Sequence, residues 1–232
     1  MSRYTNQLAL PEIGRKGQDK LEQAKILVIG CGGLGVPLVS YLAAMGIGEI
    51  YIMDGDKVEE KNLHRQFIYT PDDLGHYKVE VLAQRITKQN PACRITPINK
   101  HFTSVEELKQ TFQPDLICDC TDNVASRIAI NKASIELNIP TIYAAVAEWT
   151  GYITLLNGRA QIQLTNLHPF LNQEETATCA IAGIVPSICG TIASIQATET
   201  LKVLLSIPTT LDGSVLAYNA LSNKIKTFVL KK

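Results

Sequence analysis

The sequence predicts an α/β protein: a mostly parallel sheet covered by helices on both faces and continued by an antiparallel hairpin region. Three observations carry that expectation. The first 145 residues alternate short apolar runs with helix-like stretches, and such alternation builds parallel strands joined by crossover helices. The first apolar run ends in clustered glycines that open a helix, the start of a nucleotide-binding βαβ unit. After Trp149 the pattern changes to short runs separated by turns, as hairpins require.

Taken in order, Lys25 to Ile29 is rich in Ile, Leu and Val and reads as the first strand. It runs into Gly30, Gly32, Gly33 and Gly35, and Leu34 to Met45 continues as a helix. Ile50 to Met53 is a second strand ending at Asp54. Tyr77 to Lys88 (helix), Arg94 to Ile98 (strand), Ser104 to Thr111 (helix), Leu116 to Cys120 (strand), Ala125 to Leu137 (helix) and Thr141 to Ala145 (strand) follow. Gly151 to Leu156 and Gln161 to Leu164 flank "NGR" as one expected hairpin, and Val215 to Asn219 and Lys224 to Leu230 flank "ALSN" as another. Thr176 to Thr198 holds no charged residue over 23 positions, long enough to raise a membrane span. Pro186, Gly183, Gly190, Gln196 and several Ser and Thr argue against that, and no basic flank sets an orientation. A buried or dimer-interface helix is expected there.

The chain has 232 residues, 46% hydrophobic and 19% charged, enough to bury a large core. Lys plus Arg equals Asp plus Glu at 22 each, so no net field favours nucleic acid or an anionic membrane. The first 20 residues lack the apolar core of a signal peptide, and a cytoplasmic location is the expectation. The six cysteines form no disulfide ladder, and no Cys-x-x-Cys pair occurs to build a zinc site. Cys118 and Cys120 read as small residues of a buried strand.

The glycine loop, with a helix N-terminus behind it, suits a phosphate. Asp54 lies 24 residues after Gly30, near the spacing of about 20 at which an acid meets a ribose hydroxyl. Those features alone fit NAD, FAD or ATP equally. Asn62, Arg65 and Gln66 follow closely, and Lys78 comes 13 residues after Arg65 at a helix start. Cations there suit a triphosphate whose charge rises during transfer, although each alone also reads as a solvated loop residue. Asp122 and Asn123 follow the strand Leu116 to Cys120. Asp122 can be a helix N-cap, or a carboxylate that holds Mg²⁺ with its waters.

With these residues in view, the chain resembles the ThiF/MoeB/HesA group, bacterial relatives of the ubiquitin-activating enzymes. The resemblance covers nearly the whole chain: "RYTNQLALPEIGRKGQDKL", "GCGGLG", "DGDKVEEKNLHRQF", Lys78, "DCTDN" and "TCAIAGIVPSICGTIASIQATETLKVL". It implies a Rossmann-like single adenylation domain over 1–232, with residues 1–145 binding nucleotide and 146–232 binding a carrier protein and forming a dimer. The implied enzyme is a homodimeric, ATP- and Mg²⁺-dependent adenylyltransferase acting on the C-terminal Gly-Gly carboxylate of a small ubiquitin-like sulfur carrier of ThiS or MoaD type. By matching positions, Gly32 and Gly33 approach the phosphates, Asp54 binds the ribose, and Asn62, Arg65 and Lys78 grip the triphosphate. Gln66 orders that loop, and Asp122 holds magnesium with Asn123 beside it. Cys179 matches the cysteine that forms a covalent link in some relatives; it is expected either to be catalytic or to be structural.

Three departures from the family pattern stand out. Its zinc pairs are missing, so no zinc is expected; no sulfurtransferase-like extension follows, so sulfur is expected from a separate donor. Asn6 stands where many relatives have an arginine that reaches the partner protomer's ATP, which leaves open an adenylation-weak carrier-binding subunit, while the glycine loop and Asp54 leave open an NAD-dependent oxidoreductase. The second leaves Asn62, Arg65, Lys78 and Asp122 without a role.

Overall fold

A computed structural model describes residues 3–111, 113–167 and 183–231. One eight-stranded sheet runs through it in the order β3-β2-β1-β4-β5-β6-β7-β8. The strands are β1 Lys25–Ile29, β2 Glu49–Met53, β3 Arg94–Ile98, β4 Leu116–Asp119, β5 Thr141–Ala147, β6 Thr150–Leu156, β7 Ser214–Asn219 and β8 Lys224–Val229. β1 to β5 are parallel, and β6 to β8 add antiparallel ladders. The helices are α1 Thr5–Leu8, α2 Gly14–Gln23, α3 Gly35–Met45, α4 Lys78–Gln89, α5 Glu106–Thr111, α6 Val124–Leu137, α7 Leu164–Leu167 and α8 Pro186–Leu204.

Strand side chains alternate between faces, and both faces of the parallel part are covered. Ile26, Val28, Cys118, Ile142 and Ala144 pack with apolar residues of α3, α4 and α8. Leu27, Ile29 and Ile117 pack on the other side with Leu108 of α5 and Ile130 and Ala133 of α6. That two-sided burial is why these strands read as unbroken apolar runs. The five parallel strands and the hairpin of β7 and β8 lie where the sequence places them.

Two expectations are corrected. Gln161 to Leu164 is not a strand paired with β6, because β6 has β5 on one side and β7 on the other, leaving no free edge. Instead Asn157 N–H donates to the Ile162 carbonyl at 2.7 Å, closing a short loop, and Ile162 and Leu164 bury against Tyr143 and Leu156. The hairpin partner of β6 is β5, which continues two residues past Ala145 to Ala147 and turns at Glu148 (φ 51°) and Trp149. α1 and α2 carry no sequence forecast: α2 buries only Gly17, Gln18 and Leu21 among charged neighbours.

Of the uncharged stretch, residues 176–182 lie outside the described residues, 183–185 are extended with Ile184 bridged to Glu148, and the rest, from Pro186, lies in α8. Ile188, Cys189, Ile192, Ala193, Gln196, Ala197 and Thr200 are buried at helical spacing, one face seated on α3 and the sheet. Among the described residues no helix is long and apolar enough to cross a membrane.

Candidate active site

Ile29 at the end of β1 pairs with Met53 of β2 and Asp119 of β4, so the residues that follow each strand emerge side by side at one sheet edge. Gly30 turns there with φ +97°, its N–H donating to the Met53 carbonyl at 2.8 Å. A Cβ on Gly30 would lie 2.6 Å from the Cys120 carbonyl, and one on Gly35 would lie 1.9 Å from the Gly30 carbonyl. Only glycine permits both approaches. Gly33 is shut in from behind by the Cys189 sulfur, while Gly32 faces the Gln66 amide. The N-cap of α3, Leu34, supplies no side-chain acceptor, so the first-turn N–H groups and positive helix end suit an anion.

Asp54 is 8% exposed. Its Oδ2 accepts from Cys31 N–H at 2.7 Å and its Oδ1 from Asp56 N–H at 2.8 Å, which fixes the carboxylate at the end of β2. Burial raises its pKa, against the opposing pull of the Lys78 ammonium and the two N–H groups. The Tyr69 hydroxyl donates to the Cys31 carbonyl at 2.8 Å and ties the glycine loop down.

Lys78 is only 4% exposed, and its Nζ donates to Asp56 Oδ2 at 2.8 Å. Arg65 Nη2 donates to Oδ1 of buried Asn62 at 2.9 Å, and its side chain lies against Gly33. Gln66 is 3% exposed, its Nε2 beside Gly32 and its Oε1 buried without a partner among the described residues. The structure therefore gathers Gly32, Gly33, Asp54, Asn62, Arg65, Gln66 and Lys78 around one loop.

Asp122 is exposed and emerges at the same sheet edge after β4. The cap of α6 is Asn123, whose Oδ1 accepts from Ser126 N–H at 2.9 Å. That leaves Asp122 free of the capping role. Asn123 also lines an open cavity of about 440 Å³ with His101, Phe102, Thr103, Ala125 and Ser126.

Sequence reasoning missed Asp56, His101, Asp119 and Arg127. Asp54, Asp56 and His101 bring ligating atoms within 4.8 Å of one another, but the Lys78 ammonium already neutralises Asp56 there. The Asp54-x-Asp56 spacing was legible; the approach of His101 depended on the return of β3. Cys179 lies outside the described residues. Cys189 is buried behind Gly33 with its pKa pushed up to about 11, chiefly by burial, so it stays a thiol at neutral pH.

Known proteins resemble the chain along nearly its whole length. The chain is 36% identical to a "Probable molybdopterin-synthase adenylyltransferase" of Porphyra purpurea over 98% of its length, spanning 60% of that relative. It is 34% identical over 99% of its length to the "Sulfur carrier protein ThiS adenylyltransferase" of Escherichia coli, spanning 91% of it. Among solved structures, E. coli MccB with ATP superposes with a TM-score of 0.80 at 23% identity, over 93% of this chain and 66% of the other, a likeness of fold. The model of the ThiF family matches residues 4–232. With its curated relatives named as adenylyltransferases and the family's pattern running from one end to the other, the chain belongs to the ThiF family.

Proposed function

We propose that this protein uses ATP to adenylate the C-terminal Gly-Gly carboxylate of a small ubiquitin-like sulfur carrier of ThiS or MoaD type. The observation that carries it is the pairing of a closed glycine loop with two cations, Arg65 beside Gly33 and Lys78 buried at the start of α4. The reacting end of a nicotinamide cofactor carries no negative charge for them to neutralise. A triphosphate does, and its transfer gains most from fixed charge in a dry site.

In this reading Asp54 takes the ribose hydroxyls, the cavity beside Asn123 takes the base, and Gly32 and Gly33 approach the phosphates. Asn62 holds Arg65, and Gln66 orders the loop. The carrier carboxylate attacks the α-phosphorus, the bond from that phosphorus to the bridging oxygen breaks, and pyrophosphate leaves with its electrons. No proton moves and no nucleophilic side chain is needed, so positioning and charge do the catalysis. A lone exposed carboxylate suits Mg²⁺, which keeps several waters, and Asp122 is that group. Magnesium, when bound, neutralises charge on the phosphate oxygens. Residues 1–145 form the nucleotide part; 146–232 receive the carrier and a second protomer, giving a homodimer fed by a separate sulfur donor in the cytoplasm. Asn6 favours a second reading, a carrier-binding subunit that adenylates weakly.

Ligand-dependent melting separates nucleotide classes, since a ligand that binds only the native state raises Tm. ATP with Mg²⁺ is expected to raise it and NADH not. Stabilisation by NADH with none by ATP would overturn the proposal.

A further inference from the structure

The turn that carries Asp122 is held from below. Asp119, the last residue of β4, is 2% exposed, and its Oδ1 accepts from both the N–H and the hydroxyl of Thr121, at 2.9 and 2.7 Å. Arg127, in the first turn of α6, donates from Nη2 to the Thr121 carbonyl at 2.8 Å. Its guanidinium lies 5.2 Å from the centre of the Tyr143 ring on the neighbouring strand β5. Burial raises the pKa of Asp119, and the Arg127 guanidinium opposes that rise. Thr121 is thus gripped on its N–H, its hydroxyl and its carbonyl, one residue before Asp122. The Arg127 Nε is buried without a partner among the described residues, so this side chain is kept in place despite an unused donor, a cost that ordinary cores avoid.

We infer that Arg127, with the buried carboxylate of Asp119, is a positioning residue that aims Asp122 for adenylyl transfer; this rests on the reading of Asp122 as the magnesium carboxylate. Groups behind a metal ligand set its direction and are felt in the chemical step, typically by about 10–100-fold when removed. In the proposed site the triphosphate is held from the glycine loop, the Arg65 loop and α4, whereas Arg127 bonds to Thr121 and packs on Tyr143. Its loss therefore lowers kcat and raises the magnesium requirement while leaving the KM for ATP nearly unchanged.

The test compares Arg127→Met, Arg127→Lys, Asp119→Asn and the double variant Arg127→Met with Asp119→Asn, in carrier-dependent ATP–pyrophosphate exchange over a magnesium titration. Arg127→Met is expected to lose about 10–100-fold in kcat, with half-saturating Mg²⁺ raised and the KM for ATP within about 3-fold. Arg127→Lys, which keeps a donor for the Thr121 carbonyl, is expected to recover part of the loss and stands in if the methionine variant fails to fold. Asp119→Asn keeps the acceptor for Thr121 but removes the charge, and the double variant is expected to be no worse than the weaker single one, as for groups acting as a unit. Losses that multiply, or an Arg127→Met enzyme with normal kcat and magnesium dependence, would overturn the inference. Hydrogen exchange on the nucleotide-free protein reads the turn without activity: residues 119–127 are expected to exchange faster in Arg127→Met while β1 and α3 do not change. If the unmodified protein shows no pyrophosphate exchange at all, the adenylation reading fails, and unchanged protection at 119–127 independently sinks the role given to Arg127.

Discussion

Asp54 is where residue-scale physics is most visible. In the proposed site Asp54 accepts ribose hydroxyls as an ionised carboxylate, while burial holds its pKa above the usual value of about 3.9. The protonated form of Asp54 therefore gains as pH falls through that raised pKa, and nucleotide affinity drops with it. The Kd for ATP, measured by calorimetry from pH 7 downward, is expected to weaken before an ordinary carboxylate would titrate, and Asp54→Asn is expected to bind weakly with that pH dependence removed. A Kd that stays flat down to about pH 4 would mean that Asp54 does not meet the nucleotide. Lys78→Met removes the buried cation and is expected to cost on the order of 10²–10³ in kcat, read by pyrophosphate exchange, with the circular dichroism spectrum little changed. Asp54 was legible from its spacing after the glycine loop, which suits a ribose hydroxyl, and Arg65 and Lys78 because two cations following that loop suit a triphosphate. His101 and Arg127 were not, since one reaches Asp56 by the return of β3 and the other meets Tyr143 across β5, neither of which has a local signal.

Elements were legible where burial imposes a period and obscure where pairing decides. β1, β2, β4 and β5 show themselves as apolar runs because both faces are covered. The choice of partner for β6 is not written in its own residues: "NGR" looks like a hairpin turn, and only the prior claims of β5 and β7 on both edges exclude it. α8 joins the two regimes. Its Gln196, fully buried, donates from Nε2 to the carbonyls of Ile142 at 2.9 Å and Asp119 at 3.3 Å, pinning the helix to β5 and to the end of β4. Gln196→Leu keeps the bulk but leaves two buried carbonyls without that donor, at roughly 1–3 kcal/mol. Thermal or urea unfolding is expected to show that loss, and an unchanged midpoint would mean that water or a relaxed backbone replaces the amide.

At the scale of the whole molecule, α1 sits at the wrong end to serve its own site. Gln7 Nε2 donates to the Met45 carbonyl at the last residue of α3, and Tyr4 meets Asn90 at the end of α4, whereas the phosphate loop lies at the start of α3, about 16 Å away along its axis. Arg15 is spent on a surface pair with Asp19. In the proposed homodimer a charge offered from this end would reach the partner protomer's nucleotide, and here the position holds Asn6, which donates a hydrogen bond without neutralising charge. Asn6→Arg, assayed on a dimer confirmed by light scattering, is expected to raise pyrophosphate exchange at least several-fold; a neutral result would mean that Arg65 and Lys78 suffice. Cys179→Ser is expected to keep that exchange yet lose any thiol-sensitive adduct with the carrier, and loss of both would mark the cysteine as structural.

The central claim is that the site joins AMP to a carrier's C-terminal carboxylate. Intact-mass measurement of a ThiS- or MoaD-type carrier ending in Gly-Gly, incubated with this protein and Mg·ATP, tests it most directly. The account predicts a carrier heavier by one AMP less one water, reverting with added pyrophosphate and absent when the terminal glycine is removed. An unmodified carrier, despite ATP bound to the protein, would contradict it.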